Sequence, residues 1–404
     1  MSSKQAVSSN LPENWPLPVP ELLLHYHGDT LFSAFRQWAA QEHVPPVLLL
    51  TGPAGIGKRE IAFTIAQWIL CEKSPFGKPA ADEGDSATFD LFGGGGAPEE
   101  SAEAAGADSA PAPRIVAEAI TRPCGECTSC RRALHGNWVD FREIASEDED
   151  GGTLKIDQFR DLRAQAGFGA HEGNYRIFLI TNAERMTPQA ANSMLKLLEE
   201  PPRGWMFLLT AADASLLLPT LVSRCQRLRL KPLPEATVRQ LLLDTGVRGD
   251  RATVCARLAH GSLAKARSLA EEETWEQRKN LFRFLDSPSE HLSGWVDWAA
   301  ADNPHFHLLL DQLEQALEDL LRFTLWPQAA AGNADSFNWS NTDGAKSLAD
   351  HTRRARKALG SLERAREFWI DRAERLARVR QESQAPLNRK ILLQDLLTPW
   401  LEIR

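Results

Sequence analysis

The sequence predicts an α/β plus all-α protein, and three observations carry that reading. Val47–Thr51 is a short apolar run followed at once by a glycine-rich turn, Gly52-Pro53-Ala54-Gly55-Ile56-Gly57-Lys58, and then by Ile61, Ile65, Trp68 and Ile69 at near-helical spacing. Two further apolar runs, residues 177–180 and 205–209, flank a helical stretch from Pro188 to Glu200 that Pro201 and Pro202 stop. Beyond Pro232 the strand signals cease and only helical patterns follow. Strands alternating with helices imply a largely parallel sheet. The expected organisation is therefore an α/β domain over residues 1–230, a small helical domain over 231–271 and a larger helical domain over 272–404.

In the first strand–turn–helix, glycines let the backbone wrap a phosphate at the helix N-terminus, and Lys58 reaches its terminal phosphates. That motif, G-x-x-x-x-G-K, wants Ser or Thr next to hold Mg²⁺, but Arg59 stands there and cannot ligate a cation. The strand at 177–180 should end in an acidic pair, one residue for Mg²⁺ and one to activate water. Instead Ile180 is followed by Thr181, Asn182 and Ala183, with Glu184 further on as the only substitute. Gly52, Gly55, Gly57 and Lys58 are thus expected to form a degenerate nucleotide-binding loop poorly equipped for hydrolysis, with its own nucleotide occupancy left open.

Cys124, Cys127 and Cys130 form a C-x₂-C-x₂-C run, metal spacing rather than disulfide spacing in a chain that shows no signal peptide. Structural Zn²⁺ takes four tetrahedral ligands, so one is missing locally. Cys71, at the end of the helix after the phosphate loop, completes a Cys₄ site if residues 72–123 loop out; His135 in a Cys₃His site is the alternative. Cys225 and Cys255 sit in apolar patterns typical of buried free cysteine. A closed four-thiolate site has no open coordination position, which makes the expected zinc structural, in a module over 124–135.

Length and composition fit this organisation. At roughly 150 residues per domain, 404 residues make two or three domains with ample core. Hydrophobic residues at 43% and charged residues at 25% are ordinary for a soluble globular chain. Neither a membrane span nor an apolar leader is visible, so a cytoplasmic location is expected. The formal charge of −8 argues against a free-standing nucleic-acid binder, but residues 72–123 hold ten acids against four bases and leave the rest of the chain near balance. That segment, with six prolines and a run of four glycines from Gly93, has too few large apolar side chains to fold and reads as a disordered acidic insertion. In the helical part, residues 238–243, 252–259 and 263–269 form short helices; 307–323, 348–358, 362–379 and 389–401 form long ones.

The string NSMLKLLEEPP from Asn192 to Pro202, then FLLT from Phe207 and LVSRC from Leu221 to Cys225, closely resembles the AAA+ clamp-loader subunits of bacterial DNA polymerase III. LNRKILLQDLL, from Leu387 to Leu397, looks like that family's C-terminal helix, so the resemblance runs through nearly the whole chain. It implies a RecA-like AAA+ domain with an inserted zinc module, a small helical lid and a helical collar that joins subunits in a ring. It also implies that Arg224, in Ser223-Arg224-Cys225, reaches across to ATP bound by a neighbour as an arginine finger. ATPase members keep a complete phosphate loop, an acidic pair and a lid arginine; here Arg59, Asn182 and Ala264 stand at those places. The resemblance therefore implies a non-hydrolysing, stator-type subunit in a hetero-pentamer with ATPase subunits and a delta-type subunit, reaching sliding clamp and primer-template DNA through the complex. The insertion departs from the family, whose first two zinc cysteines are usually close; here 52 residues separate Cys71 from Cys124.

Two other functions are open to the residues. One is an active ATPase motor of the same complex, with Glu184 as the catalytic acid; the other is a zinc-containing DNA-binding regulator, for which neither a helix-turn-helix nor a basic domain is visible. The basic run between His351 and Arg380 interleaves with Leu359, Leu362, Phe368, Trp369, Leu376 and Val379, and reads as an amphipathic helical pair with a solvated charged face rather than a DNA surface.

Overall fold

Strands buried on both faces read as unbroken apolar runs, and the three runs noted above form the interior of one sheet. The computed structural model describes residues 19–41, 43–76, 123–146, 152–164, 169–171, 173–326, 337–383 and 388–403. Apart from its two ends, the insertion expected to be disordered lies outside the described residues. The chain divides into two compact units, Met1–Lys231 and Pro232–Arg404.

The first unit runs α1 (Glu21–Ala40), β1 (Val47–Thr51), α2 (Lys58–Leu70), α3 (Thr128–Leu134), β2 (Phe141–Ile144), α4 (Ile156–Ala164), β3 (Arg176–Ile180), α5 (Pro188–Glu199), β4 (Trp205–Ala211), α6 (Pro219–Val222) and β5 (Gln226–Arg229). Its five strands pair in the order β2-β3-β4-β1-β5, every neighbour parallel. In this register Leu49 lies opposite Leu209 on one side and Arg227 on the other. Every residue of β1 and β4 is buried. The edge strands β2 and β5 carry exposed polar side chains, so their sequences Phe-Arg-Glu-Ile and Gln-Arg-Leu-Arg give no apolar run. Parallel pairing brings the carboxyl ends of β1, β3 and β4 to one edge of the sheet, the usual place for a ligand in such folds.

Helix α1, absent from the expected elements, buries Leu23, Leu31, Phe35 and Trp38, and the Phe35 ring stacks on Trp68 of α2 at 4.0 Å. Thr187 caps α5 by accepting from the Ala190 amide at 3.2 Å.

The second unit is helical in its described residues: α7 (Glu235–Asp244), α8 (Gly249–Leu258), α9 (Leu263–Leu269), α10 (Glu272–Asp286), α11 (Pro288–Ala300), α12 (Asn303–Leu325), α13 (Ala345–Leu359), α14 (Leu362–Glu382) and α15 (Arg389–Leu397). The helix expected to reach Leu401 stops at Leu397 and tightens into a 3₁₀ turn, Thr398–Glu402. Pro399 is the cause, because it has no amide to continue the α-helical ladder. A buried polar knot holds the segment before α13. The Asp319 carboxylate accepts from the amides of Ser340 at 3.0 Å and Asn341 at 2.7 Å, while Arg278 grips Asp343 through Nε and Nη2 at 2.7 and 2.8 Å.

His351 on α13 is fully buried between Trp369 and Trp400, with Nδ1 3.0 Å from the Leu285 carbonyl. Burial, reinforced by the Arg354 guanidinium, pushes its pKa down to about 3. The unfolded chain takes up this proton near pH 6.5, so the stability that neutral His351 contributes is complete above that pH. It is lost as the pH falls through 6.5 towards 3, at about 1.4 kcal/mol per unit. Between pH 6 and pH 4, urea unfolding followed by tryptophan fluorescence should show the wild type losing stability faster than His351→Phe; parallel pH profiles would refute this assignment.

Candidate functional site

Three glycines in the turn after β1 have positive φ, Gly55 at 74° among them, and two of them leave no room for a side chain. A Cβ at Gly52 (φ 154°) would meet the Leu230 carbonyl at 2.5 Å, and one at Gly57 (φ 93°) would meet Leu23 of α1 at 2.7 Å. Gly57 also supplies the left-handed residue that starts α2. Lys58 is buried, its ammonium donating to the carbonyls of Gly52 at 2.6 Å and Pro53 at 2.8 Å. Burial lowers its pKa, an effect opposed by the charges of Glu184 and Glu60. The turn thus has the glycine conformations of a phosphate loop, with the lysine ammonium folded onto the loop's own carbonyls.

The surroundings of the loop differ from those of a metal–nucleotide site. Arg59 donates through Nε to Glu143 Oε1 at 2.6 Å and through Nη2 to Oε2 at 2.5 Å, and its guanidinium lies over Phe63 at 5.1 Å. Glu143 is on β2, the edge strand beside β3. At the end of β3, Asn182 adopts φ 52° and donates its amide to Thr210 Oγ1 on β4 at 3.0 Å. Glu184 lies one turn on, in a 3₁₀ turn (Ala183–Arg185), and accepts from the Ala212 amide at 3.1 Å through Oε1; its Oε2 is buried and has no hydrogen-bond partner among the described residues. Glu143 and Thr210 were not among the residues singled out from the sequence. An ion pair spanning 84 residues leaves no local pattern to read.

Cys71, where α2 ends, meets Cys124, Cys127 and Cys130, and the four sulfurs lie within 4.8 Å of one another. A tetrahedral ion with bonds of about 2.3 Å sets sulfurs roughly 3.8 Å apart; Cys124 and Cys130 are 3.9 Å apart. Backbone amides point at three sulfurs: Cys124 N to Cys71 at 3.5 Å, Cys127 N to Cys124 at 3.3 Å and Cys130 N to Cys127 at 3.4 Å. Amides aimed at sulfur favour thiolate, the form that binds metal. The hydrogen bond with Cys130, followed by those from the backbone, brings Cys71 down to about 5, while Cys130 is driven up first by that same contact. Among the described residues these four form a group able to hold a metal ion; His135, Cys225 and Cys255 lie outside it. Burial pushes the thiols of Cys225 and Cys255 up to about 11.

Arg224 follows α6 and is held on the surface. Its Nη1 donates to the Thr220 carbonyl at 2.6 Å and to Ser223 Oγ at 3.3 Å, and its Nη2 bonds Glu199 at the end of α5. In the second unit much of the basic run is engaged internally. Arg354 bonds the Leu285 carbonyl at 2.5 Å, Arg375 bonds Asp395 at 2.5 Å and Glu382 at 3.0 Å, and Arg380 bonds Asp311 at 2.5 Å and Glu314 at 2.8 Å. Among the described residues no helix is long and apolar enough to cross a membrane.

A family model described as DNA polymerase III, delta subunit, matches residues 108–234. The delta-prime subunit of Bacillus subtilis DNA polymerase III is 30% identical over 212 residues, covering 50% of this chain and 63% of the relative. That of Escherichia coli is 32% identical over 183 residues, 45% of this chain and 54% of the relative. The Escherichia coli tau subunit is 31% identical over 156 residues, 37% of this chain and 24% of its own length. The chain thus spans between half and two thirds of the delta-prime relatives. The resemblance to clamp-loader subunits read in the sequence is borne out, and it is to delta-prime.

Metal analysis gives a direct test of the cluster. The purified chain should carry one metal ion, and both Cys71→Ser and Cys130→Ser should lower the bound metal below one equivalent and reduce affinity in a chelator competition. Wild-type stoichiometry and affinity in Cys71→Ser would remove Cys71 from the ligand set.

Proposed function

We propose that this chain is a non-hydrolysing, delta-prime-type subunit of a DNA polymerase III clamp loader, whose Arg224 completes an ATP site on a neighbouring ATPase subunit. The observation that carries the reading is a pairing of opposites. The phosphate loop has Arg59 tied by two nitrogens to Glu143 where a metal-binding hydroxyl belongs, whereas Arg224 lies just after a short helix, beside the more exposed carboxylate of Glu199. A planar cation presented to a partner's nucleotide neutralises charge that develops on the transferred phosphoryl group, an effect worth about 10³–10⁵ in rate. In this reading α7–α9 form the lid, with Ala264 on α9 in place of a sensing arginine, and the helices from α10 onward form the collar of a hetero-pentamer with ATPase and delta-type subunits. Sliding clamp and primer-template DNA are reached through that assembly.

Zinc is the ion proposed for the cysteine cluster, because four thiolates within 4.8 Å of one another suit it and leave no open position for chemistry. Its role is to tie the returning chain at Cys124 to the end of α2. The alternative of an ATPase motor is the weaker reading, since Glu184 already bonds the Ala212 amide and Asn182 replaces the first acid.

Reconstitution with ATPase subunits tests this. Arg224→Ala should leave the assembly intact by gel filtration while ATP turnover and clamp loading fall, and unchanged turnover would remove the finger. The purified chain alone should show no ATPase activity; hydrolysis abolished by Lys58→Ala would overturn the stator reading.

A further inference from the structure

Arg59 is the second residue of α2, directly after the phosphate-loop lysine, and its side chain fills the position from which a hydroxyl would hold Mg²⁺. The guanidinium is fixed from two directions. Both oxygens of Glu143 accept from it on β2, and the Phe63 ring lies beneath it one helical turn on. Neither partner is fully solvated, the two side chains being 32% and 18% exposed, so water competes less with the pair than at an open surface. Around the loop, positive charge comes from Lys58 and Arg59, and negative charge from Glu60, Glu143 and Glu184. A divalent ion at this place meets a fixed cation, finds no hydroxyl and loses Glu143 to a competitor already bound to both its oxygens. Mg²⁺–nucleotide does not fit these residues.

We infer that the Arg59–Glu143 pair is what bars metal–nucleotide from this phosphate loop, so that nucleotide binding is excluded by a resident ion pair and not by a misfolded loop. The inference deepens the non-hydrolysing reading above and rests on it only for its biological meaning. The loop backbone is already shaped: Gly52 and Gly57 adopt the conformations the motif needs, and the Lys58 ammonium rests on the loop carbonyls of Gly52 and Pro53, from which a phosphate can draw it. Removing the guanidinium should therefore uncover a competent site. In Arg59→Thr the new hydroxyl stands at the metal-binding position, and Glu143 regains two free oxygens beside it. Glu143→Gln acts on the other half: it removes the Glu143 charge that holds the guanidinium through Nε and Nη2, so that Arg59 can turn to phosphate as a second cation beside Lys58.

The experiment is binding of a fluorescent ATP analogue to the full-length, metal-loaded chain, with Mg²⁺ and with EDTA. Wild type should bind weakly under both conditions. Arg59→Thr should bind at least tenfold more tightly with Mg²⁺, and EDTA should abolish the gain; Glu143→Gln should gain in a manner indifferent to EDTA. Far-UV circular dichroism and bound metal at the cysteine cluster serve as controls for folding, and Arg59→Ser replaces the threonine variant if that one does not fold. The inference is overturned if folded Arg59→Thr and Glu143→Gln bind no better than wild type, or if wild type binds Mg²⁺–ATP as tightly as either variant. Failure of the stator reading appears separately, as ATP hydrolysis by the wild-type chain.

Discussion

Burial of α2 is the constraint on which both halves of the first unit's chemistry depend. Nearly every side chain of this 13-residue helix is inside, Trp68 stacking on Phe35 at 4.0 Å and Phe63 packing against Phe141 at 4.6 Å. A helix of that length spans about 20 Å, so fixing it fixes two distant points at once. Its first residues place Lys58 and Arg59 at the carboxyl edge of the sheet, and its end delivers Cys71 to the cysteine cluster. The phosphate loop and the metal group are thus opposite ends of one buried rod. A cavity along α2 would disturb both, which separates faults in the helix from faults in either site.

That geometry explains what could be read in advance. β1, β3 and β4 are buried on both faces and stand out as apolar runs, whereas β2 and β5 are short, carry two or three polar residues of four and vanish into the background. The phosphate loop and the cysteine triplet were legible because their ligand chemistry demands fixed local spacing. Cys71 was legible only by joining the helix end to the triplet across a long insertion. Glu143 was not, because its partner is brought to it by the sheet and not by the sequence. Helix α1 was missed although Leu23, Leu31, Phe35 and Trp38 lie on one face, since no capping side chain marks its start: Pro20 precedes it.

Charge shows the same limit. The run of arginines between His351 and Arg380 looks like a basic surface in one dimension. In the folded unit Arg354, Arg375 and Arg380 each meet acceptors on other helices or at the helix end, tying α13 to α10 and α14 to α12 and α15. Those contacts lower the positive potential that the run offers to phosphate, in agreement with a chain whose charge is near balance outside its acidic insertion.

Arg59 and Arg224 carry the same group, are equally exposed at 32% and are each paired with a glutamate, yet the two glutamates hold them differently. The Arg59–Glu143 pair is bidentate and backed by Phe63, and Glu143 is 18% exposed; separating it leaves a half-buried carboxylate without its cation, which costs more than the same loss at an open surface. Glu199, beside Arg224, is 46% exposed and the contact is made through one nitrogen. Exposed pairs of that kind contribute about 0–1 kcal/mol, so a phosphate carrying more charge displaces the carboxylate readily. The contact that breaks more readily is therefore Arg224–Glu199, the one the proposed finger would have to leave, because its carboxylate is the more exposed. The contact that must hold, if the chain's own loop is to remain closed to metal, is the bidentate one with the more buried carboxylate.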